Sequence, residues 1–234
     1  MLKRLMDIVI SFTGLVIISP LLLLFILSIW LYDFHNPFYI AKRVGKNGLF
    51  FKMIKLRSMK IEADKTGIVS TSSDDDRITP IGKVIRKLKF DELSQLINVF
   101  VGSMTLVGPR PQVQDDVKLY TNKEKTLLKA QPGITDYSSI VFSDEGEILK
   151  GSDDPNKDYN LLIRPWKSRL GLFYIENQNF FLDIKLIIFT IISFFNKNWV
   201  LKKISIDIKK KNVSPELVSI VLRKEKLRPA TPPE

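Results

Sequence analysis

The sequence predicts a mostly helical protein with one short β-hairpin, attached to a membrane by its N-terminal segment. Residues 8–31 contain no charged side chain, and a helix of that length can cross about 30 Å of hydrocarbon. Two aromatic-rich segments flank the Gly-Lys-Asn-Gly turn at residues 45–48, as in a hairpin. Apolar residues recur at helical spacing over residues 93–100, which indicates a helix with one buried face.

The composition narrows the chemistry that the protein can perform. The 234-residue chain has no cysteine, which excludes disulfides and thiolate metal sites. It has a single histidine, His35, so a histidine-based acid–base or zinc site is not expected. The net charge of +11 indicates an anionic partner, such as nucleic acid, acidic lipid or a phosphorylated substrate.

The apolar segment is predicted to enter the membrane and return to the same face. Basic residues stand on both sides of it, so the positive-inside rule places both ends in the cytoplasm. Ser19-Pro20 lies at its midpoint, where proline removes a backbone hydrogen bond and bends a helix. The Ser19 hydroxyl can satisfy a carbonyl that the proline leaves free one turn earlier. The alternative is an ordinary spanning helix that tolerates the proline.

A basic stretch begins in the second half of the predicted hairpin of residues 36–59 and continues just beyond it. Lys52, Lys55, Arg57 and Lys60 alternate there with apolar residues. Such a stretch either binds phosphate or forms a solvated face, and the pattern leaves both readings open. Thr79-Pro80 then reads as an N-cap followed by proline at the first helical position, which predicts a helix through residue 88.

That helix carries basic residues toward an acidic pair, Asp91-Glu92, at the start of the next predicted helix. Free N–H groups give a helix start a partial positive charge. A carboxylate there stays ionised, as a nucleophile or a magnesium ligand must. The simpler alternative is that Asp91 only caps the helix. Beyond this helix, prolines on both sides stiffen the backbone around Arg110, which suits a bidentate phosphate clamp.

The C-terminal third contains a second apolar helix, over residues 180–195, which is too short to cross a bilayer comfortably. It is predicted to lie in the membrane interface or to pack on the domain. Asp183 within it is costly to leave unpaired, so it pairs with Lys185 or an arginine, or faces a bound cation. Residues 201–234 form a basic extension whose end is predicted to be disordered.

Seven motifs occur together and in order, and the resulting pattern resembles the bacterial sugar transferase family, the monotopic phosphoglycosyl transferases. The resemblance covers roughly residues 1–195. The motifs are KRLMD at 3–7, Ser19-Pro20, KMIKLRSM at 52–59, RITPIGKVIRKLKFDELSQLINVFVGSM at 77–104, VGPRP at 107–111, PGIT at 132–135 and FFLDIKLI at 180–187.

The resemblance implies a fold and a location. The fold is an α/β-type, mostly helical monotopic membrane protein. A re-entrant helix-break-helix anchor would cover residues 1–35. A small cytosolic catalytic domain with a short hairpin and interfacial amphipathic helices would cover residues 36–200, followed by the basic extension over residues 201–234. The protein would lie on the bacterial inner membrane with this domain on the cytoplasmic face, in contact with membrane lipids, and dimerisation is left open.

The resemblance also implies an activity. Such an enzyme uses Mg²⁺ to transfer a sugar 1-phosphate from a nucleotide sugar, usually UDP-linked, to polyprenyl (undecaprenyl) phosphate. It releases UMP and begins surface polysaccharide or glycan assembly, with no nucleic acid partner. By the same resemblance, Asp91 would be the nucleophile that forms an aspartyl-phosphosugar, and Glu92 its partner in a dyad. Asp91 and Asp183 would lie at the magnesium ion, and the basic residues around the phosphates would be Arg57, Arg86 and Arg110.

The chain departs from the family pattern after the PGIT motif. Many relatives continue with a Gly-Trp pair and an Asn-Gly-Arg segment, whereas this chain has Asp136-Tyr137 and later Asp144-Glu145-Gly146. The sugar and nucleotide specificity is therefore left open, with either an N-acetylated amino sugar or a hexose as the transferred group. A different class of function also stays open: a non-catalytic membrane-associated module that binds acidic lipid, nucleic acid or an assembly partner.

Overall fold

The structure, a computed structural model, describes residues 1–211 and 213–234. Helices account for 59% of it, which confirms the prediction of a mostly helical protein. The α-helices are α1 (Leu2–Asp33), α2 (Pro80–Lys87), α3 (Phe90–Leu93), α4 (Leu96–Val101), α5 (Gln114–Lys118), α6 (Tyr137–Val141), α7 (Glu145–Ile148), α8 (Pro155–Asp158), α9 (Arg164–Asn177), α10 (Phe180–Lys209) and α11 (Pro215–Leu222). The strands are β1 (Phe38–Val44), β2 (Phe50–Leu56), β3 (Thr105–Val107) and β4 (Gly133–Thr135).

Helix α1 is continuous from end to end, with Pro20 inside it. We predicted that the helix breaks at the proline, and this prediction is wrong, because the helical structure continues through Pro20. Pro20 has no N–H to donate to the Val16 carbonyl, and the Ser19 hydroxyl donates to that carbonyl instead at 2.8 Å, as predicted. This substitute bond compensates for the lost one, so the helix can continue. Among the residues that the structure describes, α1 is the one helix long and apolar enough to cross a membrane.

Both ends of α1 are bonded to the rest of the protein. Near its start, the buried Asp7 carboxylate accepts hydrogen bonds from the Thr105 hydroxyl at 2.8 Å and from the Leu106 N–H at 3.0 Å. At its end, Asp33 forms a bidentate ion pair with Arg57. Between these points, Leu22 and Ile29 are buried in a small apolar cluster. The helix therefore lies along the domain, and much of its remaining apolar surface is exposed.

The predicted hairpin is confirmed. Strands β1 and β2 pair antiparallel, from Phe38 opposite Leu56 to Val44 opposite Phe50. Asn98 of α4 ties this hairpin to the helices, because its side chain donates to the Lys52 carbonyl at 2.7 Å and accepts from the Ile54 N–H at 2.9 Å.

A second pair of strands brings two of the sequence motifs together. Strands β3 and β4 run parallel; Gly108 of the VGPRP motif follows β3, and Gly133 of the PGIT motif is the first residue of β4. A Cβ atom on Gly133 would lie 2.1 Å from the Gly108 nitrogen, so only glycine permits this approach. The Gly108 N–H donates to the Thr135 carbonyl, and the Gly133 N–H donates to the Pro109 carbonyl, both at 2.9 Å. These bonds fix the backbone that carries Arg110.

The C-terminal part of the chain folds back onto the domain. Helix α10 reverses at Asn196, whose φ of −145° and ψ of 74° are not helical. Its two halves then lie side by side, as the ion pair between Lys185 and Asp207 indicates. The second half and α11 contribute buried side chains to the main core, among them Val200, Ile204, Leu217 and Val221.

The last residues, for which we predicted disorder, have no helix or strand but contact the domain. The Ala230 N–H donates to the Leu161 carbonyl at 3.0 Å, and the Thr121 hydroxyl donates to the Pro233 carbonyl.

Candidate functional site

A sharp corner between α2 and α3 presents the acidic pair. Lys89 forms this corner with a left-handed φ of 59°, an uncommon conformation for a residue other than glycine. Asp91 and Glu92 follow in α3, which is a single turn. Two residues lie between α3 and α4. The predicted single helix is therefore two short helices. Asp91 makes no capping bond, so the reading of Asp91 as a simple helix cap is excluded.

Asp91 is buried and has a free carboxylate oxygen. The residue is 8% exposed, and its Oδ1 atom finds no hydrogen-bond partner among the described residues. Burial, and then the negative charge of Glu92, raise the pKa of Asp91, while the charges of Lys55, Arg86 and Lys89 oppose the rise. Most buried polar atoms in folded proteins have a hydrogen-bond partner, so the Asp91 oxygen is a candidate for contact with a ligand.

Glu92 is held differently from its neighbour. It forms an ion pair with Arg110. Burial by itself would raise the pKa of Glu92, but the charges of Arg110, Lys55 and Lys89 outweigh this effect and hold the pKa below its usual range. The charge of Glu92 in turn raises the pKa of Arg110. Glu92 is therefore an ionised residue with a fixed partner, whereas the Asp91 carboxylate has an oxygen available to a ligand.

Lys55 of β2 is a site residue that the sequence pattern did not single out from its basic stretch. Burial, and then the positive charge of Arg110, lower the pKa of Lys55 to about 8. The strand is held against the acidic corner by Ser94, whose hydroxyl donates to the Ile54 carbonyl at 3.3 Å and to the Asp91 carbonyl at 3.0 Å. The sequence signal was the interleaving of basic and apolar residues, which does not say which lysine faces inward.

Arg86 of α2 lies close to Asp91, and its predicted role at the substrate phosphates stays a prediction. Its charge acts on Asp91, and its guanidinium donates to the Ser58 hydroxyl at 3.5 Å. Helix α2 can approach the Ser58 backbone this closely because Gly82 has no side chain. A Cβ atom at this position would lie only 1.8 Å from the Ser58 carbonyl oxygen.

The structure does not bring every predicted site residue to the acidic pair. The Arg57 guanidinium is engaged with Asp33, with one of the two bonds at 2.7 Å. Asp183 is buried, and its two oxygens accept from Lys3 Nζ at 2.7 Å and from the Tyr174 hydroxyl at 2.6 Å. The predicted pairing of Asp183 with Lys185 or an arginine is therefore wrong, since Lys185 pairs with Asp207 instead. Lys3 also donates to the Val107 carbonyl at 2.7 Å, so this cluster ties the N-terminal motif to the strand before Arg110. The roles expected of Arg57 and Asp183 at substrate and metal stay predictions.

The site residues present a partial fit to a magnesium ion. The described residues include no group of three or more acidic or histidine side chains that could hold a metal. Magnesium in enzymes that bind diphosphates is usually held by one or two carboxylates, with substrate phosphates and water supplying the other ligands. The free Asp91 oxygen suits such a site, whereas both Asp183 oxygens already accept hydrogen bonds.

The acidic segment that departs from the family pattern also lies beside the site. Glu145 forms an ion pair with Lys167 and is close enough for its charge to act on Arg110. Asp144 is approached by Lys197 at 2.9 Å and by Arg223 at 3.2 Å. No sequence motif marks these three cations, because each comes from a distant part of the chain.

A small cleft extends from Arg110 toward α9. Its volume of about 340 Å³ includes space open to solvent. Asp136, which is almost fully buried, lines the cleft; its Oδ1 accepts from the Ser139 N–H at 2.7 Å, and its Oδ2 has no partner among the described residues. Polar and aromatic side chains complete the lining, including Gln112, Tyr120, Tyr159, Arg164 and Lys167.

Comparisons with known proteins agree on one family. A family model described as "Bacterial sugar transferase" matches residues 1–197. The sugar transferase EpsL of Bacillus subtilis, described as uncharacterized, is 33% identical over 191 residues, which cover 81% of this chain and 85% of EpsL.

Two further relatives align over shorter segments. A second B. subtilis protein, provisionally named undecaprenyl-phosphate N-acetylgalactosaminyl 1-phosphate transferase, is 46% identical over 111 residues, or 47% of this chain. The exopolysaccharide production protein ExoY of Sinorhizobium fredii is 36% identical over 148 residues, or 57% of this chain. The aligned segments span 62% and 66% of these two relatives, less than two thirds of their length.

Proposed function

This chain belongs to the bacterial sugar transferase family, and we propose that it transfers a sugar 1-phosphate from a UDP-sugar to undecaprenyl phosphate. One observation carries the proposal: a buried carboxylate, Asp91, has a free oxygen in a cluster of cations. Phosphoryl transfer depends mainly on alignment and on stabilising charge, and a covalent intermediate divides one difficult step into two.

In the first step, the Asp91 oxygen attacks the sugar-bearing phosphorus of the donor. A bond forms between this oxygen and the phosphorus, while the bond from the phosphorus to the bridging oxygen of the diphosphate breaks. The electron pair of the broken bond leaves with UMP, and the product is an aspartyl-phosphosugar. An anionic nucleophile can approach an anionic diphosphate only if nearby cations offset the repulsion, and Lys55, Arg86 and Lys89 supply that charge.

In the second step, a phosphate oxygen of undecaprenyl phosphate attacks the same phosphorus. The bond to Asp91 breaks, its electron pair returns to the carboxylate, and undecaprenyl diphosphate-sugar is released. Glu92 holds Arg110 beside the reacting phosphate throughout, because their ion pair fixes the guanidinium. Asp91 is the residue that would hold a Mg²⁺ ion, and the ion would supply Lewis-acid stabilisation of the charge on the leaving group.

We further propose that the catalytic domain lies on the cytoplasmic face of the inner membrane. A straight helix of the length of α1 extends about 48 Å, yet both of its ends are bonded to the same domain. A helix that simply spanned the bilayer would place these ends on opposite sides. A monotopic arrangement, with the exposed apolar surface of α1 in the lipid, avoids this conflict and brings together a soluble donor and a lipid acceptor.

The proposal is tested by incubating the purified protein with Mg²⁺, undecaprenyl phosphate and a panel of UDP-sugars, and by measuring UMP release. The panel includes N-acetylated amino sugars and hexoses; we expect an N-acetylated amino sugar to be used, since one relative is named for such a sugar. Protein quenched during the reaction with a labelled donor should carry a phosphosugar on Asp91.

Asp91→Asn should abolish both UMP release and the adduct. Asp115→Asn, at an exposed aspartate, is the matched control and should retain full activity. Full activity of the Asp91 variant would disprove the proposal. Binding to acidic vesicles without UMP release from any donor would instead favour the non-catalytic module.

The same variant should not lose stability. Because the pKa of Asp91 is raised by folding, its ionised form opposes folding once the pH exceeds that pKa. Below the unfolded pKa of about 3.9, the carboxyl is protonated in both states and this cost vanishes. With EDTA present at pH 7, Asp91→Asn should therefore unfold at a temperature equal to or above that of the wild type. For a domain of this size, each kcal/mol corresponds to about 2–4 °C.

A further inference from the structure

Arg223 lies outside the segment that matches the family, yet its side chain contacts a loop beside the candidate site, the loop between α6 and α7. It follows α11 directly and has a left-handed φ of 51°. Its guanidinium contacts two residues of the loop between α6 and α7: Nη2 lies 3.2 Å from the Asp144 carboxylate, and the group stacks 5.4 Å from the centre of the Phe142 ring. The Arg223 side chain is 17% exposed and that of Asp144 is 38% exposed, so the ion pair is partly shielded from water.

The loop that Arg223 contacts is also hydrogen-bonded to Lys89, at the corner that precedes Asp91 and Glu92. The Ser143 carbonyl, between the two residues that Arg223 contacts, accepts a hydrogen bond from Lys89 Nζ at 3.2 Å. Lys89 is the left-handed residue that immediately precedes α3. A conformation of this kind persists only where surrounding contacts hold it. The loop therefore restrains the residue whose backbone aims Asp91 and Glu92.

The loop also meets the site through Glu145. This residue follows Asp144, pairs with Lys167 and acts electrostatically on Arg110. A shift of the loop would thus disturb both the cation beside Asp91 and the surroundings of the arginine that Glu92 holds. Asp144 has a second cation, Lys197 of α10, at 2.9 Å.

We propose that Arg223 is a positioning residue for the transfer reaction, acting through Asp144 and Ser143 on Lys89. The inference rests on the proposed function, and it assigns a role in the active site to a part of the chain beyond the family match. Arg223 has no place among the groups that contact substrate; it sets the geometry of groups that do. Small displacements of aligned groups have large effects on rate, so the loss of this restraint should appear in kcat.

The kinetic test compares Arg223→Ala and Arg223→Lys with the wild type. The alanine variant should lose about tenfold in kcat, as expected for misaligned reacting groups, while the KM for the donor changes by less than about twofold. The lysine variant keeps the charge on Asp144 and should recover much of kcat. Asp207→Asn is the matched control, because it breaks an ion pair of the same C-terminal region that does not touch the loop; its kcat should be unchanged.

The outcomes that overturn the proposal are specific. Full kcat in Arg223→Ala would remove the positioning role, and so would an equal loss in Asp207→Asn, since that result would show a general effect of stability. If Arg223→Ala does not fold, Asp144→Asn removes the same contact from the other side and should give the same loss of kcat with the same KM.

A second measurement does not depend on activity. Amide hydrogen exchange over residues 87–93 should be faster in Arg223→Ala than in the wild type and in Asp207→Asn, because the Lys89 corner has lost its restraint. Unchanged exchange there would overturn the positioning role. If the wild type releases no UMP from any donor while exchange responds as expected, the proposed function fails and the mechanical link between Arg223 and Lys89 stands.

Discussion

Two adjacent carboxylates in this protein have opposite environments. Asp91 has a raised pKa and a free oxygen, whereas Glu92 has a lowered pKa and an arginine partner. Divergent pKa values in neighbouring acids commonly mark a division of roles in an active site. Here the two pKa values diverge although the residues are adjacent in sequence, because Glu92 forms an ion pair with Arg110 and Asp91 does not.

The lowered pKa of Lys55 predicts how the activity depends on pH. Its pKa of about 8 means that it loses its positive charge as the pH rises through about 8. Since that charge would offset repulsion between Asp91 and the donor in the proposed reaction, kcat/KM should fall on the alkaline side with a midpoint near pH 8. Lys55→Arg should move this alkaline limb upward, because arginine keeps its charge. Lys55→Met should lower kcat/KM below pH 8 to the level that the wild type shows at alkaline pH, and should remove the limb.

The control for this profile is Lys118→Met, which changes an exposed lysine and should leave the profile intact. An alkaline limb that stays near pH 8 in Lys55→Arg would show that another group titrates there.

The sequence predicted only some of the charged contacts that the structure shows, for identifiable physical reasons. Asp91, Glu92, Arg86 and Arg110 lie in short motifs, and the structure places their charges close together. Asp183 finds its partner across 180 positions of the chain, in Lys3, and such a pairing leaves no trace in local spacing.

At the scale of elements, the short parallel pair β3–β4 determines where Arg110 lies. Gly133→Ala would place a methyl group 2.1 Å from the Gly108 nitrogen, a backbone atom that can yield only if the strands separate. We expect a loss of stability of about 1–3 kcal/mol, typical of overpacking, and a lower kcat because the backbone of Arg110 shifts. Thermal unfolding and UMP release measure the two effects.

Gly14→Ala is the matched control for this substitution. Its new methyl group would meet only the end of the Leu96 side chain, at 3.1 Å, and a side chain can move aside. Equal behaviour of the two variants would show that the close approach of the strands does not matter for activity.

The elements also show which features a sequence pattern captures. The hairpin was predictable because its turn carries Gly-Lys-Asn-Gly between aromatic segments, and the structure confirms it. The first half of α10 ends at Asn196, next to the helix end predicted at residue 195, and the Asn196 side chain caps the second half by accepting from the Trp199 N–H at 3.0 Å. The direction in which the second half returns was not predictable, because it depends on distant contacts such as the ion pair between Lys185 and Asp207. The continuity of α1 through Pro20 depends on one hydroxyl bond, from Ser19 to Val16; the bond was predictable, but its effect on the whole helix was not.

At the scale of the whole molecule, the bonds at both ends of α1 predict the membrane topology. The chain has no cysteine, so single cysteines introduced as Leu2→Cys and Asn36→Cys report on the two ends separately. Both should react with an impermeant maleimide in inverted inner-membrane vesicles, and neither in vesicles of native orientation. Labelling of the two positions from opposite sides would establish a spanning helix and refute the monotopic arrangement.

The contacts of α1 have an evolutionary consequence. Removal of the first 35 residues would strip Asp183 of Lys3 and Arg57 of Asp33, and would leave the Thr105 hydroxyl and the Leu106 amide without their acceptor. Groups orphaned in this way are costly. Helix α1 is consequently not an interchangeable module that recombination could replace with another apolar helix. Its contacting residues and those of the domain have to change together.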